Sequence, residues 1–145
     1  MRAWIFDMDG TLANTDHRKH FLEQRPKDWD GWHSRAHLDK PHNDIVELVV
    51  AGIELGYAIV ICSGRGEEQR ELTESWLAAN HVRFDALYMR RANDRRDDSI
   101  IKLELLERMR EDGFNPVLAF DDRDRVVAAW RQAGIRCLQV APGIF

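Results

Sequence analysis

Cysteine is scarce in this 145-residue chain, which has only Cys62 and Cys137, each in its own apolar stretch. Neither stands at a metal-ligand spacing, so a disulfide framework and a cysteine-built metal site are excluded and buried free thiols are expected. No apolar run is long enough to cross a bilayer, and Met1-Arg2-Ala3-Trp4-Ile5-Phe6 meets acids too soon to act as a signal peptide. A cytoplasmic protein with no membrane attachment is the expectation. Positive charge is not in excess either: 21 Lys and Arg stand against 25 Asp and Glu, a net charge of −4. The field of the whole molecule therefore repels polyanions, and any site for one has to be a local patch. Internal repeats and low-complexity tracts are missing as well, which excludes a solenoid or a long disordered tail.

Hydrophobic residues make up 44% and charged residues 32%, the balance of an ordinary globular chain. The length suits one domain, 1–145, with a substantial core. Strand-like apolar runs occur at 3–6, 57–62, 86–89, 117–120 and 136–140. Helical periodicity fills 43–55, 67–80, 99–112 and 124–133, with Leu72, Ser75, Trp76 and Ala79 on one face of the second and with Gly56, Gly113 and Gly134 placed to end the other three. Alternation of this kind predicts an α/β fold, a five-stranded parallel sheet with helices on both faces. One region breaks the pattern. Residues 14–41, with Trp29, Trp32, His17, His20, His33 and His37, are too long for a routine connection and predict a small insertion after the first strand, near the site. The tryptophans are expected to form its small core, with stacking on a base as the alternative. The histidine spacings would admit a zinc ion, but with no cysteine nearby none is expected.

Ligands of such sheets collect beyond the carboxyl ends of the strands. Four of the five ends carry Asp7 and Asp9, Ser63-Gly64-Arg65, Arg90-Arg91, and Asp121-Asp122-Arg123. Asp7 and Asp9 repel each other at close range, so a positive group is expected beside them, most simply a hard cation such as Mg²⁺. The alternative is a surface turn whose aspartates merely cap backbone amides. Ser63, Gly64 and Arg65 offer a hydroxyl, an approachable amide and a guanidinium to phosphate oxygens, or else form a plain strand-to-helix turn capped by Ser63. Lys102 shares a helical face with Leu105, Leu106 and Met109, so its ammonium needs an anionic partner or must snorkel to solvent.

Asp7-x-Asp9-Gly-Thr, Ser63, Lys102 and Asp121-Asp122, in that order, resemble the four motifs of the haloacid dehalogenase (HAD) superfamily. The resemblance implies a three-layer Rossmann-like fold and, through the paired acids, a phosphatase. By the same resemblance Asp7 is the nucleophile that becomes an aspartyl-phosphate, and Asp9 is the general acid and then the base. Mg²⁺ is held by Asp7, the Asp9 carbonyl and Asp121 or Asp122, while Ser63 and Lys102 hold the phosphoryl oxygens. Asp9 has to be protonated in the first step, and the anions around it are expected to raise its pKa.

A narrower resemblance covers most of the chain. Asp7-Met-Asp-Gly-Thr-Leu-Ala, Arg18, Ser63-Gly-Arg65, Asp98 with Lys102, Phe120-Asp-Asp-Arg-Asp-Arg-Val-Val and the tail Gln139-Val-Ala-Pro-Gly-Ile-Phe are similar to the phosphatase domain of phage-type polynucleotide kinase–phosphatases. That implies active-site roles for Arg18, Arg65 and Asp98, although Asp98 could instead cap the helix of Lys102. The chain holds no Gly-x-x-x-x-Gly-Lys-Ser/Thr stretch, so a stand-alone phosphatase is expected, with any kinase or ligase a separate partner. Substrates are expected to be 3′-phosphorylated DNA or RNA ends or nucleotides, aided by a basic strip of Arg90, Arg91, Arg95 and Arg96 unless Asp94, Asp97 and Asp98 neutralise it. The alternatives are a small-molecule phosphatase such as a nucleotidase, and a module that binds phosphorylated ends without hydrolysing them.

Overall fold

In a computed structural model that describes residues 1–145, the first strand, β1 (Arg2–Phe6), lies at the centre of the sheet. Its side chains alternate between two apolar layers: Ala3 and Ile5 face one cluster, Phe6 the other. The same alternation runs along β4 (Ala58–Gly66), where Ala58, Val60 and Cys62 join the first cluster and Ile59 and Ile61 the second. A strand buried on both faces needs helices on both, which is what the apolar stripes of the chain supply.

Together with β5 (Ala86–Arg90), β6 (Asn115–Asp121) and β7 (Arg136–Gln139) these strands form a parallel sheet in the order β5-β4-β1-β6-β7. On one face pack α5 (Asp98–Glu111), through Ile101, Leu105, Leu106 and Met109, and α6 (Asp124–Gln132), through Val126, Val127 and Trp130. On the other lie α3 (Asn43–Glu54), through Ile45 and Val49, and α4 (Arg70–Ala79), through Trp76 and Leu77. This is the three-layer HAD arrangement that the sequence predicts. Cys62 and Cys137 sit on strands separated by β1 and β6 and are both free and buried. No helix is long and apolar enough to cross a membrane.

Three local expectations are corrected. The strand predicted to stop at Cys62 runs on to Gly66, with a register shift between Ser63 and Gly66. Ser63-Gly64-Arg65 is thus an irregular strand end, and α4 begins only after a short 3₁₀ turn, Glu67–Gln69. On α4 the buried face is Thr73, Trp76 and Leu77; Ser75 and Ala79, placed on it by periodicity, are exposed. Thr73 turns inward because its hydroxyl accepts a hydrogen bond from Arg65 at 3.0 Å.

The third correction concerns the insertion. It stands on a two-stranded antiparallel stem, β2 (Ala13–Asn14) with β3 (Lys40–Pro41), and carries α1 (His20–Glu23) and α2 (Trp29–Ser34). Neither helix has a buried residue, so Trp29 and Trp32 form no core. What the insertion buries instead is mostly polar: Thr15, Arg18 and Asp39, with Ala36. It is held to the body by charge, and that is how it reaches the site.

Gly52 marks where α3 comes closest to the sheet, since a Cβ there would meet the Trp4 ring at 2.7 Å. Gly52→Leu is expected to cost about 1–3 kcal/mol through overpacking, read as a lower urea midpoint at unchanged slope. An unaltered midpoint would show that α3 has room to move.

Candidate active site

Three backbone features bring the acids together. Asp7 leaves β1 with its amide still bonded to the Phe120 carbonyl at 3.0 Å, which fixes the first acid against the end of β6. The chain then turns at once: the amides of Thr11, Leu12 and Ala13 all donate to the Met8 carbonyl. Gly10 is required within that turn. Its φ is +86°, and a Cβ on it would sit 2.2 Å from an Asp122 carboxylate oxygen. The glycine is the gap through which the Asp122 carboxylate approaches the Asp7 turn.

At the bottom of the site the Lys102 ammonium donates to Asp7 Oδ1 at 2.7 Å and Asp121 Oδ2 at 2.8 Å, all three groups being buried. The anionic partner expected for a lysine on a buried stripe is therefore this acid pair. Burial opposes the ammonium, yet Asp121 and Asp7 outweigh it and raise the Lys102 pKa well above its ordinary value. The Asp7 pKa is raised too, by burial first, then by Asp121 and Asp122 against Lys102, which for a carboxylate disfavours the charged form. Carboxylate oxygens of Asp7, Asp121 and Asp122 lie within 4.8 Å of one another. Lys102 offsets one of those three charges, and an all-oxygen set with surplus negative charge suits a hard divalent cation.

The two acids of the last motif are not equivalent. Asp121 is fully engaged: Oδ1 accepts the amides of Asp122 at 2.9 Å and Arg123 at 3.3 Å, and Oδ2 accepts Lys102 and the Trp130 indole at 3.3 Å. The Asp122 carboxylate, beside that of Asp7, has the Thr11 hydroxyl as its one hydrogen-bond donor, at 3.5 Å.

Asp9 occupies a different electrostatic setting from Asp7. Arg65 grips it through Nη2 at 2.6 Å and Nε at 3.2 Å, and Arg18 adds a bond of 2.8 Å. Burial works to raise the Asp9 pKa, but Arg65 and then Arg18 overcome it and hold the carboxyl well below the usual range. The expectation of a raised Asp9 pKa is thus reversed. The anions that were to raise it act on Asp7, while the residues facing Asp9 are cations.

Arg18 and Arg65 are positioned from opposite sides. Arg65 is fixed by Thr73, and its amide donates to the Ser63 hydroxyl at 3.1 Å. That bond closes a turn inside the irregular end of β4 and caps no helix, since neither the 3₁₀ turn nor α4 has a side-chain cap. Arg18 is wholly buried and depends on Asp39, an acid that motif reasoning missed: Nε and Nη2 donate to its two oxygens at 2.8 and 2.6 Å. Asp39 also meets His17 at 2.6 Å, and its carbonyl accepts the Trp76 indole at 2.8 Å. The flat face of Arg18 lies 4.0 Å from the Trp32 ring. A signal for Asp39 was available: an arginine carried inward by the insertion needs a second acid, and the returning stem offers one next to Lys40.

Asp98 is not the helix cap; that is Asp97, which accepts the Ser99 amide at 3.1 Å. The Asp98 carboxylate instead takes Arg90 on one oxygen and Arg123 on the other, the latter at 2.9 Å. Gly64 leaves room for it, since a Cβ there would sit 2.6 Å from Asp98 Oδ1. Asp98 thus ties three strand ends together and contacts neither Asp7 nor Asp9 by hydrogen bond. The basic strip is correspondingly thinner than expected. Arg90 turns inward to the Gly64 carbonyl at 2.8 Å, and Arg96 pairs with Asp94 and Glu104. Arg91 and Arg95 remain exposed without an ion pair.

A central strand that ends in two acids of opposite electrostatic character, beside a buried lysine and a second acid pair, on a sheet ordered β5-β4-β1-β6-β7, defines a HAD-type phosphatase. The class C acid phosphatase of Bacillus anthracis, solved with tungstate bound, shares this fold at a TM-score of 0.71 and 14% identity, over 99% of this chain and 67% of that one. Within the class the match is narrower. Residues 1–145 fit the family described as the polynucleotide kinase PNKP phosphatase domain, and the chain belongs to it. A protein solved in a Pnkp1/Rnl/Hen1 complex superposes with a TM-score of 0.86 and 32% identity, covering 99% of this chain and 47% of that one. A protein of Autographa californica nuclear polyhedrosis virus, named as a bifunctional polynucleotide kinase/RNA ligase, is 28% identical over 136 residues, 92% of this chain and 18% of its own length. The chain therefore spans less than half of either of these relatives.

Asp39→Ala would leave the Arg18 guanidinium buried with one acid instead of two, at an expected cost of about 3–5 kcal/mol in denaturant unfolding. Removing both charges, Arg18→Leu with Asp39→Leu, should cost clearly less than the sum of the single changes. Strict additivity would mean that the pair is not what holds the insertion down.

Proposed function

We propose that this single phosphatase domain, with residues 14–41 as an insertion at its active site, removes the 3′-terminal phosphate from nucleic acid or nucleotides in a Mg²⁺-dependent reaction through an aspartyl-phosphate. The observation that carries the proposal is the opposite treatment of the two acids: Asp7 is bound by an ammonium and Asp9 by two guanidinium groups. In the first step an Asp7 oxygen attacks phosphorus, the bond from phosphorus to the leaving oxygen breaks, and Asp9 gives that oxygen a proton. In the second, water attacks the phosphoryl group and yields its proton to Asp9, the bond to Asp7 breaks, and phosphate leaves.

Asp9 clamped as an anion is ready for the second step, where it must accept a proton. For the first it must carry one. The guanidinium groups that suppress protonation are also those suited to the equatorial phosphoryl oxygens. As Arg18 and Arg65 turn to an incoming phosphate, Asp9 loses the partners that keep it ionised. Lys102 stays with Asp7 and the same oxygens. Ser63 has a proton to donate, since its hydroxyl serves only as an acceptor within the protein. Asp98 acts through Arg90 and Arg123 as a positioning residue.

Asp7 and Asp122 would hold Mg²⁺ directly, with the Asp9 carbonyl, which accepts no backbone hydrogen bond. Asp121, all of whose acceptor positions are taken, would orient them. The ion would neutralise charge that builds up on the phosphoryl oxygens.

For the substrate, the family and the accessibility of the site support a polymer end over a covered metabolite: the Asp9 side chain keeps 26% exposure with the insertion folded beside it. A similar protein was solved in a complex named for Pnkp1, Rnl and Hen1, and the viral relative carries kinase and ligase in its name, so we propose a separate kinase or ligase as a working partner. Two free thiols are in keeping with a cytoplasmic setting.

Phosphate release from matched 3′- and 5′-phosphorylated oligonucleotides and from 3′-mononucleotides tests the reading. Release is expected from 3′ ends, is expected to stop with EDTA, and is expected to fall at least about 10³-fold in Asp7→Asn. Undiminished release in that variant would remove Asp7 as nucleophile. Faster turnover of mononucleotides than of oligonucleotides would make the enzyme a nucleotidase.

A further inference from the structure

Trp29 is the one large aromatic of the insertion left facing solvent, 52% exposed, and nothing in the fold accounts for it. Neither helix of the insertion buries a residue, so it is not a core side chain displaced to the surface. Its position is nevertheless fixed. Asp28 caps α2 by accepting the Gly31 amide at 2.8 Å. Gly31 allows the Phe21 ring against the same turn, where a Cβ would meet Phe21 Cδ1 at 2.4 Å. On the inner side of α2, Trp32 is already committed to Arg18, through its ring face and its carbonyl, the latter accepting at 3.3 Å.

One turn along from Trp29 stands His33, its ring centroid 6.2 Å away and its plane within 26° of the indole. His33 is bonded to Gln69 at 3.0 Å and lies within the field of Asp9, Arg18 and Arg65. The two rings are thus stacked on each other, and the pair reaches the neighbourhood of the Asp9 clamp through His33. The Lys27 ammonium lies over the Trp29 ring, 5.6 Å from its centroid. Two guanidinium groups at Asp9, an exposed indole and an ammonium beside that indole offer partners for a terminal phosphate, a base and a phosphodiester.

On the reading of a polynucleotide 3′-phosphatase, we infer that Trp29, backed by His33, is the platform on which the base of the 3′-terminal nucleotide stacks, with Lys27 meeting the adjacent phosphodiester. Stacking tolerates any base, because each has a flat π face, so the platform grips an end without reading its sequence. It also gives the insertion its purpose as a specificity element. The arginine it sends inward handles the phosphate, and the tryptophan it keeps outside handles the nucleoside.

The test compares a 3′-phosphorylated oligonucleotide with the same strand ending in an abasic 3′-phosphate residue, using wild type, Trp29→Ala and Trp29→Phe. Wild type is expected to favour the base-bearing end in kcat/KM, chiefly through KM. In Trp29→Ala that preference should fall about tenfold, and Trp29→Phe should keep most of it. A preference unchanged in Trp29→Ala would overturn the platform. A wild type that turns over p-nitrophenyl phosphate but neither oligonucleotide would overturn the substrate reading itself, and the platform with it.

Discussion

One ammonium among carboxylates sets the terms for the rest of the molecule. Lys102 comes from α5, Asp7 from β1 and Asp121 from β6, and their buried ion pairs meet where the sheet, the helical layer and the active site coincide. Such a cluster is stable only when every member is partnered, because a single unpaired charge there costs several kcal/mol. The partners are correspondingly over-determined. Asp121 has donors on both oxygens, the Trp130 indole among them, so a core side chain of α6 also secures the site. Fold and proposed function share their strongest constraint: the residues that hold three elements in register are the ones assigned to the phosphate.

The second constraint is the arginine clamp, and it makes the two acids different. A shared turn would treat Asp7 and Asp9 alike; separate counter-ions do not. The ammonium of Lys102 is a compact charge that can stay in place while a phosphate binds beside it. The planar guanidinium groups of Arg65 and Arg18 grip two atoms at once and can exchange a carboxylate for a phosphoryl group of matching geometry. Arg18 can lie wholly buried in an insertion without a core only because Asp39 and the Trp32 ring take up the rest of its surface. The insertion is thus built outward from one charged side chain.

Much of this was legible in the sequence, for identifiable reasons. The strands carry short continuous apolar runs and three of the helices end at glycines, so a parallel sheet with helices on both faces followed, and Lys102 declared itself as a charge on an apolar stripe. Period alone could not tell that Thr73 would replace Ser75 on the buried face of α4, because the reason is a hydrogen bond to Arg65 from another element. Nor could it tell that Asp97 would cap α5 and release Asp98 to Arg90 and Arg123. The tryptophans of the insertion were misjudged on the assumption that aromatics in a small segment make its core; here ion pairs do that. Asp39 stayed hidden because no motif contains it, and the sign of the Asp9 shift was missed because neighbours in sequence were weighed in place of neighbours in space.

The central place of β1 has a consequence in time. It is the first strand of this sequence to be synthesised, yet its two neighbours begin at residues 58 and 115, so it is complete long before either exists. Contacts so distant in sequence are slow to close and are made late. Lys102 is 95 residues from Asp7, and Asp122 is 111 from Thr11, so the buried charge cluster can assemble only when Asp122 has emerged. Until then, the apolar run of β1 ends in two unneutralised acids whose charge discourages the strand from pairing with another nascent copy. The two carboxylates at the heart of the candidate site would first serve as gatekeepers of folding.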